Sequence, residues 1–144
     1  MLDDDKSPVR IKSRETIRKI YKYGKTIIST DKRVKAIHYF EYNLSLPRIK
    51  YAVTISSKSG NSVWRNRFKR LVRESVFAEF EIIKEAVLRL KLNVEIIFSP
   101  SLINQQNNKK IFLADIRPAV LDIFVNLKKH LSNQIELLNK DIVT

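Results

Sequence analysis

The chain of 144 residues contains no cysteine. That excludes a disulfide framework and any Cys-built zinc site, and it fits a reducing compartment. Only two glycines occur, Gly24 and Gly60, and only two histidines, His38 and His130. Two scattered glycines exclude a Gly-rich phosphate loop, and histidines so far apart supply no His-x-x-x-His metal motif. His38 falls in a strand pattern and reads as structural; His130, near a helix C-terminus, reads as a dipole or solvent residue. No charge-free apolar run approaches the roughly 18 residues of a membrane span. The opening MLDDDKSPVR lacks the apolar stretch of a signal peptide. A soluble cytoplasmic protein with no membrane partner is expected. The length suits one domain, burying about 68–70% of its unfolded surface.

Acids are scarce where bases are not. Residues 1–75 hold 19 Lys+Arg against 7 Asp+Glu, whereas residues 76–144 hold 9 against 8. Nearly all of the net charge of +13 therefore sits in the first half. Such asymmetry points to a polyanionic partner, nucleic acid before membrane.

Residues 1–9 read as an acidic tail, with Asp3, Asp4 and Asp5 solvated and no metal site there. Ser13 caps a short basic helix whose stripe is Ile17, Ile20 and Tyr21, ended by Gly24. Strand-like stretches follow at Arg33–Tyr42 and Lys50–Ser56, joined by a loop with Leu46-Pro47. A further strand is expected either near Lys25–Ser29 or from a split of Arg33–Tyr42. In the second stretch Tyr51, Val53 and Ile55 share one face, and Ala52, Thr54 and Ser56 the other. That face of small side chains suits either a closely packed helix or an open groove. After Gly60-Asn61 one long helix is expected to about Leu92, then a buried strand, Asn93–Ser99, ended by Pro100. Asn104–Lys110 reads as a loop or a loose helix start. A last helix over Asp115–Leu131 has Asp115 as its cap and Pro118 in its first turn. The expectation is an α+β fold in the order α-β-β-β-α-β-α, a small sandwich of mixed sheet and packed helices. One domain should span 10–132, with 133–144 as helix extension or tail.

The long helix carries the strongest signal. Arg65, Arg67, Lys69, Arg70 and Arg73 stand together with no acid before Glu74. Advancing about 100° per residue puts Trp64, Phe68, Leu71, Val72 and Ser75 on one face, a core face. Arg65, Asn66, Lys69 and Arg73 cluster opposite, with Arg70 and Arg67 at the far edge. Like charges four apart cost a helix several tenths of a kcal/mol per pair. Phosphate oxygens would convert that repulsion into affinity through charge-assisted hydrogen bonds and counterion release. The helix reads as a phosphate binder. Asn66 can address a base edge, a phosphate or the preceding backbone.

The stretch from Lys58 to Glu74, KSGNSVWRNRFKRLVRE, resembles the bacterial ribonuclease P protein subunit. That family carries a Lys-x-Gly-Asn turn after a strand, then Arg-Asn-Arg-x-Lys-Arg-x-x-Arg on a helix. Gly60, Asn61, Val63, Arg65, Asn66, Arg67, Lys69, Arg70, Arg73 and Glu74 match in register. Ser57, Ser62 and Trp64 depart from it, and weaker likeness extends from Arg10 to Leu131. The resemblance implies a left-handed crossover into the basic helix. It also implies a non-catalytic subunit of a ribonucleoprotein endoribonuclease, in which RNA and Mg²⁺ remove the 5′ leader of precursor tRNA. The implied RNA-binding residues are Lys58, Asn61, Arg65, Asn66, Arg67, Lys69, Arg70 and Arg73. Arg67 and Arg70 would face the catalytic RNA, and Ile17, Tyr21 and Tyr39 would complete a groove for the single-stranded leader. Tyr21 reads equally as core. The competing reading is a generic RNA-binding or ribosome-associated protein without a processing role. A DNA partner is not expected, because neither a helix-turn-helix pair nor a zipper accompanies the basic helix.

Overall fold

The computed structural model describes residues 7–143, with side chains as far as Gln134. The acidic run Asp3–Asp5 lies outside the described residues. The chain forms β1 (Val9–Arg10), α1 (Arg14–Tyr23), β2 (Lys25–Ile28), β3 (Val34–Tyr42), β4 (Arg48–Val53), a 3₁₀ turn (Ser57–Ser59), α2 (Ser62–Glu79), α3 (Glu81–Leu90), β5 (Leu92–Pro100) and α4 (Leu113–Val143). The five strands make one mixed sheet in the order β1-β4-β5-β3-β2. β4 lies parallel to both β1 and β5, while β3 runs antiparallel to β5 and β2. The α+β class holds.

Alternation along the strands divides the core in two. Val34, Ala36, Ile49, Tyr51, Val94, Ile96 and Phe98 point to the side carrying Phe68, Val72, Ile83, Ile123 and Phe124 of α2, α3 and α4. On the opposite face Ile20 packs with Ile11, Ala52 and Ile97, flanked by Ile17, Ile37 and Tyr39. α1 is the one helix on that side, and it covers only part of it. At its end a Cβ on Gly24 would fall 2.5 Å from the Ile20 carbonyl oxygen and 2.9 Å from that of His38. Only glycine lets the chain turn there directly into β2.

One alternative is decided and three expectations shift. The third strand is β2, and Arg33–Tyr42 is not split. The tail expected over residues 1–9 gives way at Val9 to β1, which Ser-Pro ahead of it did not announce. The single long helix breaks at Phe80, which ends α2 and begins α3. Beyond the break Ile83, Ala86 and Val87 of α3 are buried in the core. Lys91, at φ 55°, then stops α3, so the last strand starts at Leu92. Finally, α4 begins at Leu113; Asp115 is not its cap but reaches back from the first turn to accept from Phe112 N at 2.9 Å. Pro118 consequently stands in the second turn. No helix among the described residues is long and apolar enough to cross a membrane.

His38 is buried on the α4 side of β3, with the His130 ring 5.8 Å away. Its Nδ1 has no hydrogen-bond partner among the described residues. Burial, then the His130 and Lys25 charges, push its pKa down to about 4. The neutral ring is therefore the folded form, while the unfolded chain gains a proton below its ordinary pKa near 6.5. Stability should fall as pH drops through that window, by about 2 kcal/mol between pH 7 and pH 5. Urea unfolding at the two pH values should show this loss for the wild type and a clearly smaller one for His38→Gln. Equal losses in both would mean that His38 is not the linked group.

Candidate nucleic-acid interface

α2 is held at its start by a distant loop. Asn61 caps it, Oδ1 accepting from Trp64 N at 2.9 Å. Asn61 N in turn donates to Gln105 Oε1 at 2.8 Å, and Gln105 N donates to Ser59 O at 2.7 Å. Trp64 Nε1 reaches Asn108 O at 2.8 Å. A Cβ at Gly60 would come within 2.9 Å of Gln105 Cβ, so this turn and loop meet closely only because residue 60 is glycine. Trp64 and Phe68 are buried and stacked, 6.0 Å apart. They are core residues, not base platforms.

The helix's polar face is thereby aimed outward. Asn66, Lys69, Arg70 and Arg73 are exposed and Arg65 is half-buried. Arg70 stands 4.0 Å from Glu74. Arg65, Lys69 and Arg73, spaced one turn apart, form no ion pair with any described residue. Arg67 is different: its Nε donates to Ile111 O and its guanidinium lies 5.6 Å from the Phe112 ring centre. Its position at the helix's far edge makes it an anchor for the segment before α4.

Two clefts flank the side of α1 that faces β4. The first, about 160 Å³, is lined by Arg10, Ile11, Ile17, Tyr51, Ala52, Val53, Lys69 and Arg73. That is smaller than the roughly 300–1,000 Å³ of small-molecule sites, and suits a chain passing along it. Burial raises the Tyr51 pKa against the opposing pull of Arg73 and Arg10. The second cleft is lined by Tyr21, Lys35, Ile37, Thr54, Ser56, Ser59, Ser99 and Pro100. Tyr21, half-exposed, shares a 2.8 Å hydrogen bond with Thr54 Oγ1. Ile17 and Tyr21 are one turn apart on α1, and Thr54, just past the end of β4, follows Ala52 on the same side. The clefts therefore align into a groove along α1, and the Lys69–Arg73 edge of α2 walls its first part. Ala52 of β4, Thr54 and Ser56 just beyond it, and Ser99 of β5 floor it.

A family model described as Ribonuclease P matches residues 6–117. This chain belongs to the ribonuclease P protein family. It is 39% identical over 66 residues to the ribonuclease P protein component of Macrococcus caseolyticus, covering 46% of this chain and 54% of that one. It is 34% identical over 90 residues to that of a Thermoanaerobacter species, covering 62% and 67%. The first of these curated relatives are matched over only 54–61% of their own length. The fold is similar to the RNase P protein from Thermotoga maritima, at TM-score 0.62 and 19% identity over 83% of this chain and 96% of that one. It is also similar to the Staphylococcus aureus RNase P protein, at TM-score 0.57 and 23% identity over 83% and 94%.

Within this family frame the expected residues separate into groups. Ile17, Lys69 and Arg73 meet in one cleft, and Tyr21 lines the next. Tyr39 lines neither: it lies under α1, with Lys19 Nζ 5.1 Å from its ring centre and Tyr23 beside it. Lys19 in turn sits 3.0 Å from the buried Glu95 and 3.3 Å from Glu41. Burial alone would lower the Lys19 pKa, and the two carboxylates outweigh it and raise it. The floor residue that β3 does supply is Ile37, two positions from Tyr39 on the same face. Lys58 opens instead onto a separate hollow with Gly60, Gln105, Gln106 and Lys109. Gln105 and Asn108, which position α2, carried no signal in the sequence, because a polar loop has no periodicity to read. Asn61→Ala should destabilise the protein by about 1 kcal/mol through loss of the cap, measured by urea unfolding. Unchanged stability would mean the cap bond contributes nothing to the fold.

Proposed function

We propose that this chain is the protein subunit of ribonuclease P. It binds the catalytic RNA and the single-stranded 5′ leader of precursor tRNA, and so promotes Mg²⁺-dependent endonucleolytic removal of the leader in the cytoplasm. The observation that carries this reading is the row Arg65, Lys69 and Arg73. These cations lack carboxylate partners among the described residues, and Lys69 and Arg73 border a cleft whose other wall bears Ile17, with Tyr21 one turn further along α1.

Chemistry on the phosphodiester belongs to the RNA and its Mg²⁺ in this reading. Among the described residues no group of three or more His, Cys, Asp or Glu converges as a metal cage. What the chain offers is cationic and hydroxylic: Lys69 and Arg73 for phosphates, and Thr54, Ser56 and Ser99 along the floor. A cationic track with one aromatic beside it tolerates leaders of varied sequence, since every base has a face to stack and every phosphate the same charge. Arg70, exposed on the outer edge of α2, is in this reading a contact for the catalytic RNA. Arg67 reaches that RNA only with the donors that its bond to Ile111 leaves over.

Cleavage of precursor tRNA by a bacterial ribonuclease P RNA at low Mg²⁺ tests the assignment. Correct 5′ cleavage should require the protein. Arg73→Ala should lower the preference for leader-bearing over leaderless tRNA and flatten the salt dependence of binding by about 0.7 in log–log slope, one phosphate on a single strand. Tight RNA binding with no stimulation of cleavage would leave a generic RNA-binding module. An unchanged leader preference in Arg73→Ala would remove this groove from the account.

A further inference from the structure

Phe77 is a large apolar side chain on α2 that remains 46% exposed. Single exposed hydrophobics are ordinary, but the position of this one is not. It stands four residues beyond Arg73, so it continues the row Arg65, Lys69, Arg73 by one more turn. From Arg65 to Phe77 the row spans roughly 18 Å. The ring is held edge-on against Tyr51, 6.2 Å between centroids at 90°. Tyr51 is itself 4% exposed and lines the cleft together with Arg10 and Arg73.

We infer that Phe77 is a stacking platform for one unpaired nucleobase of the single strand whose phosphates ride on Lys69 and Arg73. The inference rests on the function proposed above and adds a subsite to it. Three features support it. The groove's exposed aromatic, Tyr21, is at its far end, and the Arg10–Arg73 end is lined by aliphatic Ile11 and Ile17 and the buried Tyr51. Single-strand binders combine a cationic track with aromatic faces, and at this end Phe77 is the exposed ring beside the track. Contact with Tyr51 fixes the ring, so stacking on it costs little further side-chain entropy. Arg10 and Arg73 flank the ring's neighbour and make the site attractive to a nucleotide and unattractive to a cationic peptide.

The test uses the full chain assembled with the catalytic RNA, and precursor tRNAs whose leaders carry one abasic nucleotide at successive positions. With wild-type protein, loss of one particular base should weaken binding about five-fold or more, the low end of base–aromatic stacking. Phe77→Leu keeps apolar packing on Tyr51 and removes the ring. It should bind the intact leader about five-fold more weakly and show no further loss at that abasic position. Phe77→Tyr should behave as wild type. An abasic profile identical in wild type and Phe77→Leu overturns the inference, as does an equal loss of affinity in Phe77→Leu and Phe77→Tyr, which would mark a packing role. If Arg73→Ala abolishes leader preference while the abasic profile ignores Phe77, the function stands and this subsite falls. If neither variant affects leader binding, both fall.

Discussion

The apolar stripe of α2 is the contact on which the rest depends. Trp64, Phe68, Leu71, Val72 and Val76 are all buried against the sheet and α4. Each such side chain contributes about 1.5–3 kcal/mol on burial, an upper bound set against a fully extended chain. The two like-charged pairs of the Arg65–Lys69–Arg73 row cost about 0.2–0.5 kcal/mol each. Packing wins by a wide margin. The helix therefore keeps a face of cations that it could not sustain in isolation, and the same packing turns that face toward solvent. Stability and the proposed binding thus come from opposite sides of one element.

Orientation needs a second constraint, because a helix packed along one stripe can still slide. The loop Gln105–Phe112 supplies it, through Gln105 to Asn61, Asn108 to Trp64 and Ile111 to Arg67. All three bonds join residues 44 positions apart, which makes the loop run in step with the first turns of α2. Arg67 belongs to the basic motif by sequence and to this clamp by structure. A guanidinium has five donors, so one bond to a carbonyl does not silence it.

The groove exists because α1 is too narrow to cover its face of the sheet. Ile20 is the one fully buried residue of its stripe, and it packs over Ala52 and Ile97. Beyond it lie Ser99 of β5 and, just past the end of β4, Thr54 and Ser56, side chains too small to fill the space. On the other side of α1 the face is closed by Lys19 with Glu95 and Glu41, and by Tyr39. Charge pairing closes one flank, and small residues leave the other open.

Much of this was legible beforehand. The Gly60-Asn61 turn, the split of α2 into core and cationic faces, and the alternation of Tyr51 and Val53 against Ala52 and Thr54 follow from periods of 3.6 and 2. Such periods decide which side chains share a face, because neighbours on one element are placed by its backbone alone. They do not decide which faces meet. The break at Phe80, the pairing of β1 with β4, the removal of Tyr39 from the groove and the clamp at Gln105 depend on surfaces brought together from distant parts of the chain. Phe77 shows the division most plainly. Its place in the row with Arg73 is a matter of counting along a helix, but its exposure and its contact with Tyr51 came only from how α2 lies against the edge of the sheet.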